Sequence, residues 1–201
     1  MQKRILKIES TQLFLIYKAQ DIIDIAVDAK DVFDMNFKIE NKEQLTIKII
    51  RLVPINLGYL LGKLSFLSIS GMHIFKLYDD KKYFDITFFQ KVDEVDIPFI
   101  EEIIKNSVDM TKEFKFNKPI IKKDEIKLEL DHSEELAQIQ ITTKDQKGLF
   151  AYIAYIFDKF NVEIRSAKIN SRNKKVNDLI LVEKNGNFVL HKDKIIKLLV
   201  I

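Results

Sequence analysis

Asp145–Ile164 reads DQKGLFAYIAYIFDKFNVEI and Ile55–Ile74 reads INLGYLLGKLSFLSISGMHI. Gly58 aligns with Gly148 and Ile74 with Ile164, so one segment recurs 90 residues apart. A repeat of this length marks a structural unit used twice. Each copy is preceded by an alternating β-rich run, Gln44–Leu52 in the first and Leu136–Thr143 in the second. In the second copy Leu149, Tyr152, Ile153, Ile156, Phe157 and Phe160 form one apolar helical stripe, with Asp158 and Lys159 off it.

Working outward, each copy continues into two strand-like runs. These are His73–Tyr78 and Tyr83–Gln90 around the charged turn Asp79–Lys82, then Glu163–Asn170 and Val176–Glu183 around Ser171–Lys175, with Asp85 aligned to Asp178. A helical pattern closes each unit: Ile97–Val108, apolar at Ile97, Ile100, Ile103, Ile104 and Val108, and the shorter Asp193–Val200. The order β-α-β-β-α implies the ferredoxin-like pattern, which needs a fourth edge strand. Glu113–Lys118 is the expected edge strand of copy one, and Ile126–Leu130 that of copy two. The fold class expected is α+β: two tandem ferredoxin-like (βαββαβ) units with antiparallel four-stranded sheets. The domains expected are 1–43, a helical N-terminal segment; 44–120, the first unit; and 121–201, the second. Ile22–Val32 is a short amphipathic helix with Ile22, Ile25, Ala26, Ala29 and Val32 on one side.

Composition removes several classes. The 201 residues include no Cys, which excludes disulfides, a thiolate nucleophile and Cys-based metal sites. The 33 basic residues against 30 acidic ones give a charge of +3, too small to count as a nucleic-acid signature. Met1–Ser10 starts basic, but Lys7 and Glu9 interrupt any signal-peptide core, and no uncharged run approaches the roughly 20 residues of a membrane span. A soluble, cytoplasmic chain is the expectation.

The strand-to-helix turn carries the chemistry. In Asp145–Leu149 an acid opens the turn and glycine stands where the helix begins. Glycine permits a tight turn and close approach to the amides, and a helix N-terminus favours a carboxylate. The candidate ligand-binding residues are therefore Asp145, Gln146, Lys147, Gly148 and Leu149, with Asn161 reaching the ligand's polar end. The repeat implies a second candidate site at Asn56, Leu57, Gly58 and Tyr59. The plainer alternative is an ordinary strand-to-helix turn with a capping acid.

The D-x-x-G-L turn, the Asn161–Ile164 strand entry, Ala167-Lys168-Ile169 and the hairpin into Val176–Asp178 resemble an ACT domain. More narrowly, residues 126–184 are similar to the second of two C-terminal ACT domains in bifunctional PII uridylyltransferase/uridylyl-removing enzymes. The resemblance implies a glutamine-sensing regulatory region that reaches a PII-type protein through a full-length enzyme. Copy two has Lys147 where that family has proline, and copy one keeps mainly Gly58. The family's catalytic domains have no counterpart. The three histidines, His73, His132 and His191, begin no His-Asp dyad, and the nucleotidyltransferase Gly-Ser and paired-Asp motifs are missing. The expectation is therefore a non-enzymatic chain with no metal and no cofactor. The orphan helix favours a C-terminal fragment of a longer chain over a stand-alone regulator.

Other readings weigh less. Asp131, His132, Glu134 and Glu135 sit in a polar connection, where adjacent side chains diverge, so a shared metal is disfavoured. An RNA-recognition sheet needs aromatics to stack bases. Copy two has aliphatics there, and the rings of copy one (Phe75, Tyr78, Tyr83, Phe84, Phe88, Phe89) are flanked by Asp79, Asp80 and Asp85. Alternation places Phe84, Ile86 and Phe88 on one face and Tyr83, Asp85, Thr87 and Phe89 on the other. The second face suggests pairing of the two units, or of two chains, with a ligand at the boundary. The runner-up to the sensor is a stand-alone tandem-ACT regulator or a dimerisation module acting through protein partners, with an RNA-binding ferredoxin-like pair behind both.

Overall fold

The computed structural model describes residues 16–169, 171–172, 174–184 and 186–201. Met1–Ser10, Asn170 and Asn173, which enter the readings above, lie outside the described residues. The elements in chain order are α1 (Ala19–Lys30), β1 (Met35–Asn41), β2 (Leu45–Arg51), α2 (Leu57–Lys63), β3 (Ile69–Lys76), β4 (Lys82–Phe88) and α3 (Ile97–Asn106). Then follow β5 (Ile126–Glu129), β6 (Leu136–Lys144), α4 (Leu149–Lys159), β7 (Ile164–Lys168), β8 (Ser171–Arg172), β9 (Lys175–Glu183) and α5 (Gly186–Leu199).

Two antiparallel sheets result, β1-β2-β4-β3 and β5-β6-β9-β7, with the short β8 also paired to β9. The fold is α+β, two tandem ferredoxin-like units. In both units the outer strand beside the first central strand comes from the residues before it. That was the expectation for β5 but not for unit one, where β1 takes the place assigned to Glu113–Lys118. The alternation of Phe114 and Phe116 with charged residues reads like a strand, yet 113–118 forms no ladder. Its apolar partners are in the helix layer: Phe114 lies over Gly62, and Phe116 stacks on Tyr155 with ring centroids 4.8 Å apart. The first unit therefore begins at Met35, not at residue 44.

The registers also shift the internal alignment. Ile69 pairs with Phe88 and Ile164 with Val182, and both strands have an irregularity just after these residues. Ile69, not Ile74, is the counterpart of Ile164. Phe84 faces Ile49 and Asp178 faces Ile141, so Asp178 replaces Phe84, not Asp85, on the inward face. Copy one has lost residues between helix and strand, and α2 has 7 residues against 11 in α4.

The apolar faces of both sheets and their helices share one core, including Ile47, Ile49, Phe84, Ile139, Ile153, Phe157 and Ile180. Edge strands β3 and β7 lie against each other, and α2 packs on α4. The helices run antiparallel, because Gly58 touches Tyr155 and Gly148 faces Ser65. These contacts do not involve the aromatic outer face of sheet one, where the sequence reading placed the pairing surface. That face is covered by α1: Ile22, Ile25, Ala29 and Val32 bury Ile50, Phe75, Leu77 and Tyr83. The α1 stripe is the one the sequence marks. Its burial also places Phe75 and Tyr83 out of reach of any stacked base, while Phe84 and Phe88 are in the core.

A β-carbon built on Gly58 would lie 2.6 Å from the Tyr155 Cα. This obstacle is backbone, which cannot swing aside. Gly58→Ala is expected to destabilise the chain by about 1–3 kcal/mol in urea unfolding, whereas Gly186→Ala, with open space around it, should be nearly neutral. Equal effects would contradict the close helix contact.

Candidate functional site

The turn between β6 and α4 is assembled from several directions. The Asp145 N–H donates to the Lys174 carbonyl at 3.0 Å, which ties the turn to the β8–β9 connection. Gln146 clasps the connector: its Nε2 donates to the Ile120 carbonyl and its Oε1 accepts the Ile120 N–H, both at 2.8 Å. Gly148 is left-handed at φ 74°, and the Leu149 N–H turns back to the Gln146 carbonyl at 3.0 Å. The residue at the N-cap of α4 is Gly148 itself, which has no side chain to cap the helix. Gln146 and Leu149 thus build the turn, and the first-turn residues beyond them, Phe150 and Ala151, whose amides have no partner within the helix, also line the adjoining cavity.

This turn opens onto a cavity of about 370 Å³ between the two units. That volume is at the small end of the roughly 300–1,000 Å³ typical of small-molecule sites. Unit one contributes Leu61, Leu64, Ser65 and Ser68. Unit two contributes Asp145, Lys147, Gly148 and Lys174 at the mouth and Ile169 and Asp178 along the wall. Five of the six residues proposed as the main site (Asp145, Gln146, Lys147, Gly148 and Leu149) therefore line one space. Asn161 does not. It lies past the far end of α4, roughly 18 Å along the axis, where its left-handed backbone (φ 51°) ends the helix. There its carbonyl accepts from Asn187 Nδ2 at 3.2 Å.

The equivalent turn of unit one is already filled. The Gly58 N–H donates to Asp158 Oδ2 at 2.7 Å, and the Leu57 amide also binds that carboxylate. Asn56 is spent on structure. Its side chain caps α2 by accepting the Tyr59 N–H at 2.9 Å and donates to the Lys112 carbonyl at 2.8 Å, and its own N–H donates to the Ser107 carbonyl. Tyr59 is buried. Two of the four residues of the second candidate site, Leu57 and Gly58, thus hold an internal carboxylate, and Asn56 and Tyr59 serve the fold.

Charges crowd around that contact. Arg51 lies near Asp158, and burial lowers its guanidinium to about 10. Lys82, paired with Glu163 across the units, is pushed down to about 7 by burial and then by Arg51. Burial is also the largest influence on Asp158, raising its carboxyl from 3.8 to about 6, against the opposing pull of the Gly58 amide and Arg51. An Arg165–Glu183 pair at 2.6 Å lies within unit two nearby.

Sequence reasoning missed three residues. Asp158 falls off the apolar stripe and reads as a solvated position; only the neighbouring unit reveals its role. Ser65 has no sequence signal. Asp178 had one, because the alternation Val176, Asp178, Ile180, Val182 puts an acid on an apolar face, and it is 1% exposed. Among the described residues no group of three or more His, Asp or Glu is placed to hold a metal, and no helix is long and apolar enough to cross a membrane.

The raised Asp158 pKa fixes the direction of a pH effect. The folded state holds this proton more tightly than the unfolded chain, so the group lends stability at and below about pH 4 that is lost as pH rises through about 6. The loss is at most about 3 kcal/mol. The stability difference between wild type and Asp158→Asn, from urea unfolding between pH 4 and 7, should follow this curve. A flat difference would show that the carboxylate is not buried against Gly58.

No protein-family model matches the chain, and no match to it was found among curated proteins or solved structures.

Proposed function

We propose that this chain is a tandem ACT-type regulatory region that binds one small amino acid, glutamine in first place, in the cavity between its units. The observation that carries this reading is the unequal state of two equivalent turns. In one, helix amides and the glycine turn hold the carboxylate of Asp158. In the other, the same element faces a cavity where Ser65 takes the place of Tyr155. The filled turn is a precedent, within this molecule, for the chemical group the open one takes.

The chemistry is binding, not turnover. The ligand's carboxylate rests on the first-turn amides of α4, aided by the helix dipole and by Lys147 and Lys174 at the mouth. Because unit one supplies Ser65 and Ser68 to the same cavity, a bound ligand touches both units. It favours whichever relative arrangement it fits better, and that differential affinity couples it to an attached enzyme. In the nitrogen-signalling reading, that enzyme is a PII uridylyltransferase whose catalytic domains lie outside this chain. The competing reading, a pairing module without a ligand, draws on the shared core and on the closed turn of unit one.

Thermal unfolding of the chain against each of the twenty amino acids at millimolar concentration tests this. A ligand at 100 times its Kd adds about 2.7 kcal/mol, or roughly 5–10 °C for a chain of this size. Glutamine is expected to give such a shift, Ser65→Trp to abolish it by filling the cavity, and Asp158→Asn to leave it in place. Gly148 variants are a poorer probe, since φ 74° strains any side chain there. No shift with any amino acid would favour the pairing module.

A further inference from the structure

We propose that Lys82 is a proton-operated release for the boundary between the two units: taking up a proton there loosens the contact of unit one with unit two, and giving it up tightens that contact. Lys82 opens β4, and its cross-strand partners are Arg51 on β2 and Lys76 on β3, so one end of sheet one carries three cations in a row. Like charges directly opposite one another are destabilising, so this register is held at a cost. Unit two closes over the row. Glu163 pairs with Lys82 across the boundary, Asp158 acts on Arg51, and Arg165 and Glu183, paired with each other on β7 and β9, both act on Lys82.

Burial here outweighs the ion pair. Lys82 is 5% exposed, and the Arg51 Nε is buried with no hydrogen-bond partner among the described residues. Lys76 is drawn the other way, toward Asp80 at 3.3 Å. Burial, then Arg51, lowers the Lys82 ammonium from 10.5 to about 7, with Arg165 and Lys76 adding to the effect and Glu183 opposing it. A lysine returned to water when the units part recovers the higher value, so the parted state holds the proton more tightly. The closed contact is therefore weakest at and below about pH 7 and firms as pH rises from there toward 10.5. An exposed salt bridge would do the opposite, weakening as its lysine lost charge. Asp158 adds little slope above pH 7, because its carboxyl is raised only to about 6. The cavity at the other end of α4 is lined by both units, so this proton sets how freely its walls move apart, with or without a ligand.

The Gly58 N–H, which donates to Asp158 across the boundary, reports its opening, and the Ile49 amide, inside sheet one, reports unit one itself. The test measures hydrogen-exchange protection of both amides by nuclear magnetic resonance in the full chain from pH 6.5 to 9, corrected for intrinsic exchange. Protection at Gly58 is expected to rise at least about 10-fold over that range, with a smaller change at Ile49. Lys82→Met should hold Gly58 protection high and level throughout, and Lys82→Arg, which keeps its charge, should hold it low at pH 9. Protection at Gly58 that falls with pH would show an ordinary ion pair and overturn the proposal. An equal rise at Gly58 and Ile49 would place the lysine's burial within unit one, and a rise that survives in Lys82→Met or Lys82→Arg would assign it to another group; each would overturn the release.

Discussion

At Gly58 two helices meet so closely that the Asp158 carboxylate can take the Gly58 N–H at 2.7 Å, and a single methyl group there would collide with the Tyr155 backbone. Much of the architecture follows from that contact. It fixes the antiparallel packing of α2 on α4, brings β3 beside β7, and lets the two sheets bury a common core. It also draws Arg51, Lys82 and Glu163 into a partly desolvated charged cluster, where attraction across the boundary only partly offsets the cost of leaving water.

The same contact explains why the second turn is open. The two helices are mates, but α2 is shorter by about one turn. Opposite Gly58 the longer α4 supplies Tyr155 and, one turn on, Asp158. Opposite Gly148 the shorter α2 has ended, and Ser65 lies 3.8 Å from where a β-carbon would be. A difference in helix length thus turns a symmetric duplication into one closed and one open turn. The connector reinforces the open side, since Gln146 is held by the backbone of Ile120 and Phe116 packs on Tyr155. The loop facing the cavity is thereby braced from both units.

Much of this was legible in the chain. The glycine turns, the apolar stripe of α4, the α1 stripe and the β5 edge strand follow from spacing alone, because helix and strand periodicities impose distinct patterns. What the chain hid depends on which partner an apolar side chain selects. Phe114 and Phe116 alternate like a strand, yet pack on helices, so the edge of sheet one comes from β1 instead. The face of Tyr83 reads as a docking surface for the second unit, yet Tyr83 and the neighbouring Phe75 are covered by α1. Asn161 resembles a ligand contact in sequence and is removed from the cavity by the length of α4. Asp158 could be understood only with both units in place, because its partner is 100 positions away.

The central claim is that two equivalent turns differ, one holding an internal carboxylate and the other awaiting an external one. Amide nuclear magnetic resonance during titration with L-glutamine addresses it most directly. The account predicts saturable shifts at Gly148, Phe150, Ala151 and Ser65, with Leu57 and Gly58 unmoved because Asp158 already occupies them. Shifts centred on Leu57 and Gly58, or none at Gly148 through Ala151 at saturating glutamine, would contradict it.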